Sequence, residues 1–406
     1  MRALRFCVLL TVAFVPLANA QTLMLTEAEA LARLTPNGPQ ALAMLAEVEL
    51  SRAAELDAGR WPNPRVIYNR ESVVGVTENI LMVAQPLPLT GLRGLSVDAA
   101  EARTAASQDR ADEALRRLRA DLRHAFTDVW LAQVRAEVLT EAHSQVAALA
   151  ERLATREAMG DAAGFDHLRA EREVFDVEAD QTLALTFLAR ARGALVSLFA
   201  APVAPASVVA VRPDRGETPV PSLDELVSRA MDTRGELLAL QHDAEAAALA
   251  ASAARRRRIP EPELMAGTKT SSALGGDVGT VLTLQASIPL FDTGQPETAR
   301  AEAEARRAEA RAEALRIRLR AEVAALRDAV LERRAALARY QTAVTAAAEV
   351  ERIARVSYDA GERSILELLD AYRTAADARL RLAALEAAVG EAEIELEFAS
   401  GWEMSS

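Results

Sequence analysis

Apolar residues recur every three or four positions along two long stretches of the chain. This spacing is typical of helices that bury one narrow seam against a partner. Between about Gly94 and Ala158 no residue interrupts the helical pattern. About 60 residues that each rise about 1.5 Å predict a rod of roughly 90 Å. The seam positions are Leu115, Leu118, Leu122, Phe126 and Val129 in one stretch, and Leu315, Leu319, Val323, Leu326 and Val330 in the other.

Glycines mark where each predicted rod turns back. Gly160 and Gly164 follow the first long helix, and Gly361 follows the second. We expect turns there, each leading into a returning helix that ends near Phe199 or Phe398. A helix this long cannot be buried inside a domain of this size, so it must pack along equally long helices.

Two short segments before each long helix predict strands instead. Their expected bounds are about 65–73 and 77–87 in the first half of the chain, and about 262–270 and 280–288 in the second. In the last of these segments Leu282, Leu284, Ala286 and Ile288 alternate with polar residues. An apolar-out, polar-in alternation over about ten residues is typical of an outer-membrane strand.

The same plan occurs twice along the chain. Moving the sequence by 201 positions places Arg117–Ala120 on Arg318–Ala321, and Gly160 on Gly361. We therefore predict a first repeat at 21–199, a linker at 200–221, a second repeat at 222–401 and a C-terminal tail at 402–406.

Residues 1–20 have the pattern of a secretory signal peptide. A charged start and an apolar stretch precede the small residues Ala18–Ala20, which predict cleavage before Gln21. The single cysteine, Cys7, lies inside this segment, so we expect no disulfide and no lipid anchor on a mature N-terminal cysteine. Removing Arg2 and Arg5 takes the formal charge from -12 to -14, which disfavours nucleic-acid binding.

Residues that could support catalysis or bind a cofactor form no pattern of known chemistry. The four histidines lie in separate segments without a pair at i,i+4, which argues against a metal site. Neither a nucleophile motif nor a phosphate-binding glycine pattern is present. The sequence predicts no enzyme activity, no cofactor and no bound metal.

Four strands are too few to close a barrel alone, since the smallest outer-membrane barrels have about eight. Open strand edges are not tolerated in lipid. If these strands cross a membrane, several copies of the chain must share one barrel, and the long helices would continue below it as a tube.

The sequence resembles the TolC family of outer-membrane efflux channels. The resemblance covers the duplicated plan, the strand exits Gln85–Leu89 and Ser287–Phe291, and the stretch Tyr358–Ala371. The segment Thr90–Gly94 after the first exit is most similar to the branch that serves cobalt-zinc-cadmium and copper-silver resistance pumps.

The resemblance implies a homotrimer, mainly α-helical, with a twelve-stranded β-barrel in outer-membrane lipid and a twelve-helix α-barrel in the periplasm. It also implies a periplasmic adaptor (membrane fusion) protein and an inner-membrane pump of the resistance-nodulation-division type as partners. The channel would conduct passively, and the hairpin tips at Gly160, Gly164 and Gly361 would dock the adaptor.

The resemblance also assigns residues at the periplasmic mouth. Asp166, Tyr358 and Arg363 match the family's gate, and Glu367 and Asp370 match its acidic entrance ring. Spacing alone favours ordinary solvated acids at these last two positions. Helical spacing also predicts that Ile365, Leu368, Leu369 and Tyr372 pack inward.

Two other functions remain compatible with the sequence. The first is an exit duct for drugs or a secreted protein rather than for metal ions. The second is a periplasmic coiled-coil scaffold that forms no channel, although a scaffold would not need alternating strands between paired prolines.

Overall fold

The computed structural model describes residues 22–160, 163–214, 218–291 and 293–403. The predicted signal peptide with its cleavage point, and the last three residues of the predicted tail, lie outside the described residues. The fold is mainly helical with a small sheet, as the sequence predicts. None of the described helices is both long enough and apolar enough to span a membrane.

Four long helices form two hairpins. They are α3 (Leu92–Ala158) with α4 (Gly164–Ser197), and α7 (Gln295–Asp359) with α8 (Ile365–Ser400). Helix α3 contains 67 residues, so it is about 100 Å long at about 1.5 Å per residue. Within each hairpin the two helices pack along each other, and α3 of the first hairpin also packs on α8 of the second.

The predicted seams are the buried faces of the long helices. Leu122, Phe126 and Val129 of α3 are fully buried, as are Leu319 and Val323 of α7. Each fully buried side chain of this size contributes about 1.5 to 3 kcal/mol. Packing of these seams therefore supplies stability that an isolated rod would lack.

The remaining helices are shorter and support the hairpins at one end. Helices α2 and α6 pack along α3, and α6 also packs along α7. The Thr26 side chain caps α1 in a reciprocal arrangement with Glu29. These helices are α1 (Glu27–Leu31), α2 (Pro39–Ala58), α5 (Leu223–Thr233) and α6 (Gly235–Arg256).

The predicted linker contains a strand that sequence reasoning missed. Strand β4 (Val208–Ala210) pairs in parallel with β1 (Leu23–Leu25) near the start of the chain. The buried Gln133 side chain of α3 bonds both backbone groups of Ala210, at 3.0 Å to the carbonyl oxygen and 2.7 Å to the nitrogen. This clamp fixes the linker onto the first hairpin.

Four further strands form one antiparallel sheet. They are β2 (Arg65–Val73), β3 (Val76–Pro86), β5 (Pro262–Ser271) and β6 (Asp277–Ala286), and they lie in that order. Each half of the chain thus contributes one strand pair, and β3 pairs with β5 across the two halves. Strands β2 and β6 lie at the two edges.

Strand β6 lies earlier in the chain than predicted. It runs from Asp277 to Ala286 instead of 280–288, so Ile288 falls beyond its end. The ladder stops where Ala286 pairs with Pro262, the first residue of β5. Pro289 lacks the N–H group that a continued ladder would use.

Candidate functional site

The sheet has one apolar face that is open to its surroundings. Because side chains alternate along a strand, the register places the same face of all four strands together. This apolar face is exposed in the chain and consists of Val66, Tyr68, Leu81, Val83, Leu264, Leu282 and Leu284. Exposed apolar area of this extent indicates contact with lipid or another apolar partner.

The opposite face of the sheet carries ionic groups. Lys269 Nζ lies 2.6 Å from Glu78 Oε2, and Arg65 pairs with Glu263 across the sheet. A sheet with one apolar and one charged face is the arrangement of a strand wall between lipid and water.

Left-handed glycines turn the chain at both hairpin tips. Gly160 has φ 81° and Gly361 has φ 76°, a region that other residues rarely adopt. Gly164 is instead the first residue of α4, where an added Cβ would lie 2.6 Å from Glu157 Oε1. Glu157 also lies 2.7 Å from Nδ1 of His167, so it connects the two helices at this tip.

The three residues assigned to the gate are not joined into one cluster. Burial raises the pKa of the Tyr358 hydroxyl, Arg156 and Arg152 lower it, and the nearby Asp166 carboxylate raises it. Asp166 and Tyr358 are therefore close enough to interact electrostatically. Arg363, in the turn before α8, pairs instead with the first turn of that helix, with Nη1 at 3.1 Å from Glu367 Oε1.

Glu367 has a structural role at the start of α8. It forms a capping box with Ser364, whose backbone N–H lies 2.9 Å from Glu367 Oε2. The backbone N–H and hydroxyl of Ser364 lower the pKa of Glu367, and Arg363 lowers it further. Asp370, one turn later, is exposed. The two predicted ring acids thus differ, since only Glu367 caps the helix.

The predicted inward face of α8 is confirmed. Ile365, Leu368, Leu369 and Tyr372 are all buried, in a cluster that also contains Leu149 of α3. This cluster joins both hairpins at their tips, so movement of one hairpin past the other must disturb it.

Sequence reasoning missed the ionic contacts that link the hairpins within one chain. Residue Glu173 of α4 is only 4% exposed, and its carboxylate accepts two hydrogen bonds from Arg373 of α8, with Nε at 2.5 Å. Arg379 of α8 pairs with Glu141 of α3 at 2.6 Å and with Glu351 of α7 at 3.3 Å. These contacts link helices from both hairpins near the tips.

The described residues contain no group of three or more His, Cys, Asp or Glu side chains that is placed to hold a metal ion. His124 lies 2.7 Å from Glu395, and His242 lies 2.8 Å from Asp109. These two histidines and His167 each pair with one carboxylate.

Comparisons with known proteins agree with this geometry. A family described as "Outer membrane efflux protein" matches residues 226–402. The chain is 26% identical to the cobalt-zinc-cadmium resistance protein CzcC of Cupriavidus metallidurans over 368 residues, which are 87% of this chain and 86% of that protein.

Solved structures show the same fold. A membrane protein from Pseudomonas aeruginosa superimposes with a TM-score of 0.79 and 21% identity, over 92% of both chains. CusC superimposes with a TM-score of 0.74 and 18% identity, over 92% of this chain and 91% of its own. VceC from Vibrio cholerae superimposes with a TM-score of 0.75 and 17% identity, over 92% of this chain and 96% of its own.

Proposed function

We propose that this chain, whose residues 226–402 match the outer membrane efflux protein family, is the exit duct of a tripartite system that exports heavy-metal cations. The chain acts as an efflux channel at the outer membrane.

One observation supports the duct most strongly. The four-stranded sheet has an exposed apolar face, a charged face and an edge strand at each side. Three such sheets joined edge to edge would give a closed barrel of twelve strands, in which every strand has a partner. A non-channel scaffold would have no use for this exposed apolar face.

The duct also requires a continuous tube below the barrel. Helix α4 packs on α3 but leaves Phe165, Leu168 and Phe175 exposed, while α7 leaves Val350 and Val356 exposed. In a homotrimer these edges of neighbouring chains would cover each other, which would join the hairpins into a twelve-helix barrel. We assign 21–199 and 222–401 as its two repeats, joined by 200–221.

The hairpin tips are the proposed docking site for a periplasmic adaptor protein. Gly160, Gly164 and Gly361 shape these tips, and they lie at the ends of the hairpins farthest from the sheet. The adaptor would connect the duct to an inner-membrane pump of the resistance-nodulation-division type. We propose that Asp166, Tyr358 and Arg363 hold the mouth closed and that Glu367 and Asp370 attract cations to it.

Similarity to CzcC, whose name specifies cobalt, zinc and cadmium, supports metal cations as the exported class. The test is deletion of the gene followed by growth on graded cobalt, zinc, cadmium, copper and silver salts, with dyes and antibiotics alongside. We expect greater sensitivity to one or more metals, restored by the intact gene. Sensitivity to organic compounds alone would instead indicate a drug duct.

A further inference from the structure

The chain leaves strand β6 through a segment with unusual exposure. Ile288, Leu290 and Phe291 are 70%, 74% and 99% exposed. They follow the end of the strand, at the end of the sheet where the long helices begin. Three neighbouring large apolar side chains that are this exposed indicate contact with an apolar partner.

A cavity of about 510 Å³ lies beside this segment. Its walls combine apolar and basic side chains, with Glu261 and Ser287 as further polar residues. Glu261 accepts a hydrogen bond of 2.7 Å from Thr90. The other main lining residues are Leu92, Arg256, Arg257, Ile259, Leu290 and Phe291.

Arg256 and Arg257 line this cavity and belong to a run of four exposed residues, Arg255–Arg258, at the end of α6. Arg255 and Arg257 pair with glutamates of α7. Arg256 and Arg258 donate to backbone carbonyl oxygens instead, of Thr90 at 3.1 Å and of Thr293 at 3.4 Å. A carbonyl oxygen carries no net charge, and among the described residues neither guanidinium group has a carboxylate within salt-bridge distance.

We propose that this junction binds an anionic phospholipid of the periplasmic leaflet. Its phosphate would pair with Arg256 and Arg258, and its acyl chains would lie along Ile288, Leu290 and Phe291. Guanidinium groups recognise phosphate through paired hydrogen bonds, and basic residues at a membrane surface favour anionic lipids. The proposal rests on the proposed function, because that function places the sheet in the outer membrane.

One feature favours lipid over a second copy of the chain at this position. Basic groups at the boundary of an apolar band are the charge pattern that lipid headgroups require. A protein partner remains an outcome that the experiment distinguishes.

The test is native mass spectrometry of the full-length protein in detergent, titrated with phosphatidylglycerol or phosphatidylcholine. The variants are Arg256→Gln/Arg258→Gln and Phe291→Ser. Arg307→Gln/Arg311→Gln is the matched control, since it removes the same charge from exposed positions along α7. Conductance in a planar bilayer is measured on every variant.

We expect the intact protein to retain phosphatidylglycerol over phosphatidylcholine. Arg256→Gln/Arg258→Gln should weaken phosphatidylglycerol binding about tenfold, and the control should not. Phe291→Ser should weaken binding of both lipids. If Arg256→Gln/Arg258→Gln binds phosphatidylglycerol as well as the control does, the proposed lipid site is wrong. Normal conductance of that variant would still support the proposed duct. Loss of the trimer in Phe291→Ser would instead assign this segment to a subunit contact, and an intact protein without conductance would overturn the proposed function itself.

Discussion

The buried ion pair between Glu173 and Arg373 gives the sharpest prediction about the hairpin tips. The two partners differ in environment, since the Glu173 side chain is 5% exposed and the Arg373 side chain is 53% exposed. Removing the Arg373 side chain leaves the Glu173 carboxylate buried without a positively charged partner. Removing Glu173 leaves a guanidinium that water can still reach. We therefore expect Arg373→Gln to destabilise the tips more than Glu173→Gln.

The magnitude follows from what the stranded carboxylate can do. Breaking a buried pair by removing one partner costs about 3 to 5 kcal/mol. The half-exposed position of Arg373 lets water approach the carboxylate that remains. The destabilisation by Arg373→Gln should therefore lie near the lower end of this range, at about 3 kcal/mol. Glu173→Gln should cost about 1 to 2 kcal/mol, because the remaining cation is hydrated.

Hydrogen exchange of the protein in detergent measures this difference locally. For peptides at the tips of α4 and α8, exchange through local opening should be about a hundredfold faster in Arg373→Gln. Arg172→Gln is the matched control, because Arg172 pairs with Asp176 on the surface, where such pairs contribute about 0 to 1 kcal/mol. Equal exchange in Arg373→Gln and Arg172→Gln, or a larger effect from Glu173→Gln, would refute the reasoning.

Three further predictions concern other parts of the chain. Hydrogen bonding to His124 lowers the pKa of Glu395 from 4.5 to about 2, so the pair stabilises the fold above about pH 4.5 and loses this effect as the pH falls towards 2. After allowance for solvent screening, Glu395→Gln should lower the free energy of unfolding by about 1 to 2 kcal/mol at pH 7. Thermal unfolding of the helices at pH 7 and near pH 2 measures the difference. Val74 adopts φ 48° in the turn between β2 and β3, so Val74→Asn should stabilise this hairpin by about 1 kcal/mol, with slower amide exchange there, whereas Val74→Ile should give no gain. Replacing Arg363 with Ser together with Tyr358 with Phe should raise single-channel conductance in an assembled channel, and unchanged conductance would place the constriction elsewhere.

Sequence periodicity predicted the parts of the fold that depend on local pattern. The buried seam of α3 and the inward face of α8 follow from helical spacing, because a periodic apolar pattern determines which side of a helix is buried. The strand β4 has three residues, too few for any alternation to be read. Its position depends on pairing with β1, which is distant in the sequence.

The tip contacts show a similar division. The pattern Ser364, two residues, then Glu367 is a capping-box signature, so the structural role of Glu367 was visible in the sequence. The pair between Glu173 and Arg373 joins residues on different hairpins and has no local signal. Only the packing of α4 near α8 brings these two side chains together.

The most direct test of the account is the assembled state and conductance of the purified protein. Membrane fractionation, light scattering in detergent and planar-bilayer recording can be made on one preparation. The account predicts a protein that requires detergent, has the mass of a trimer and forms ion-conducting channels. A soluble monomer with stable helices and no conductance would contradict it.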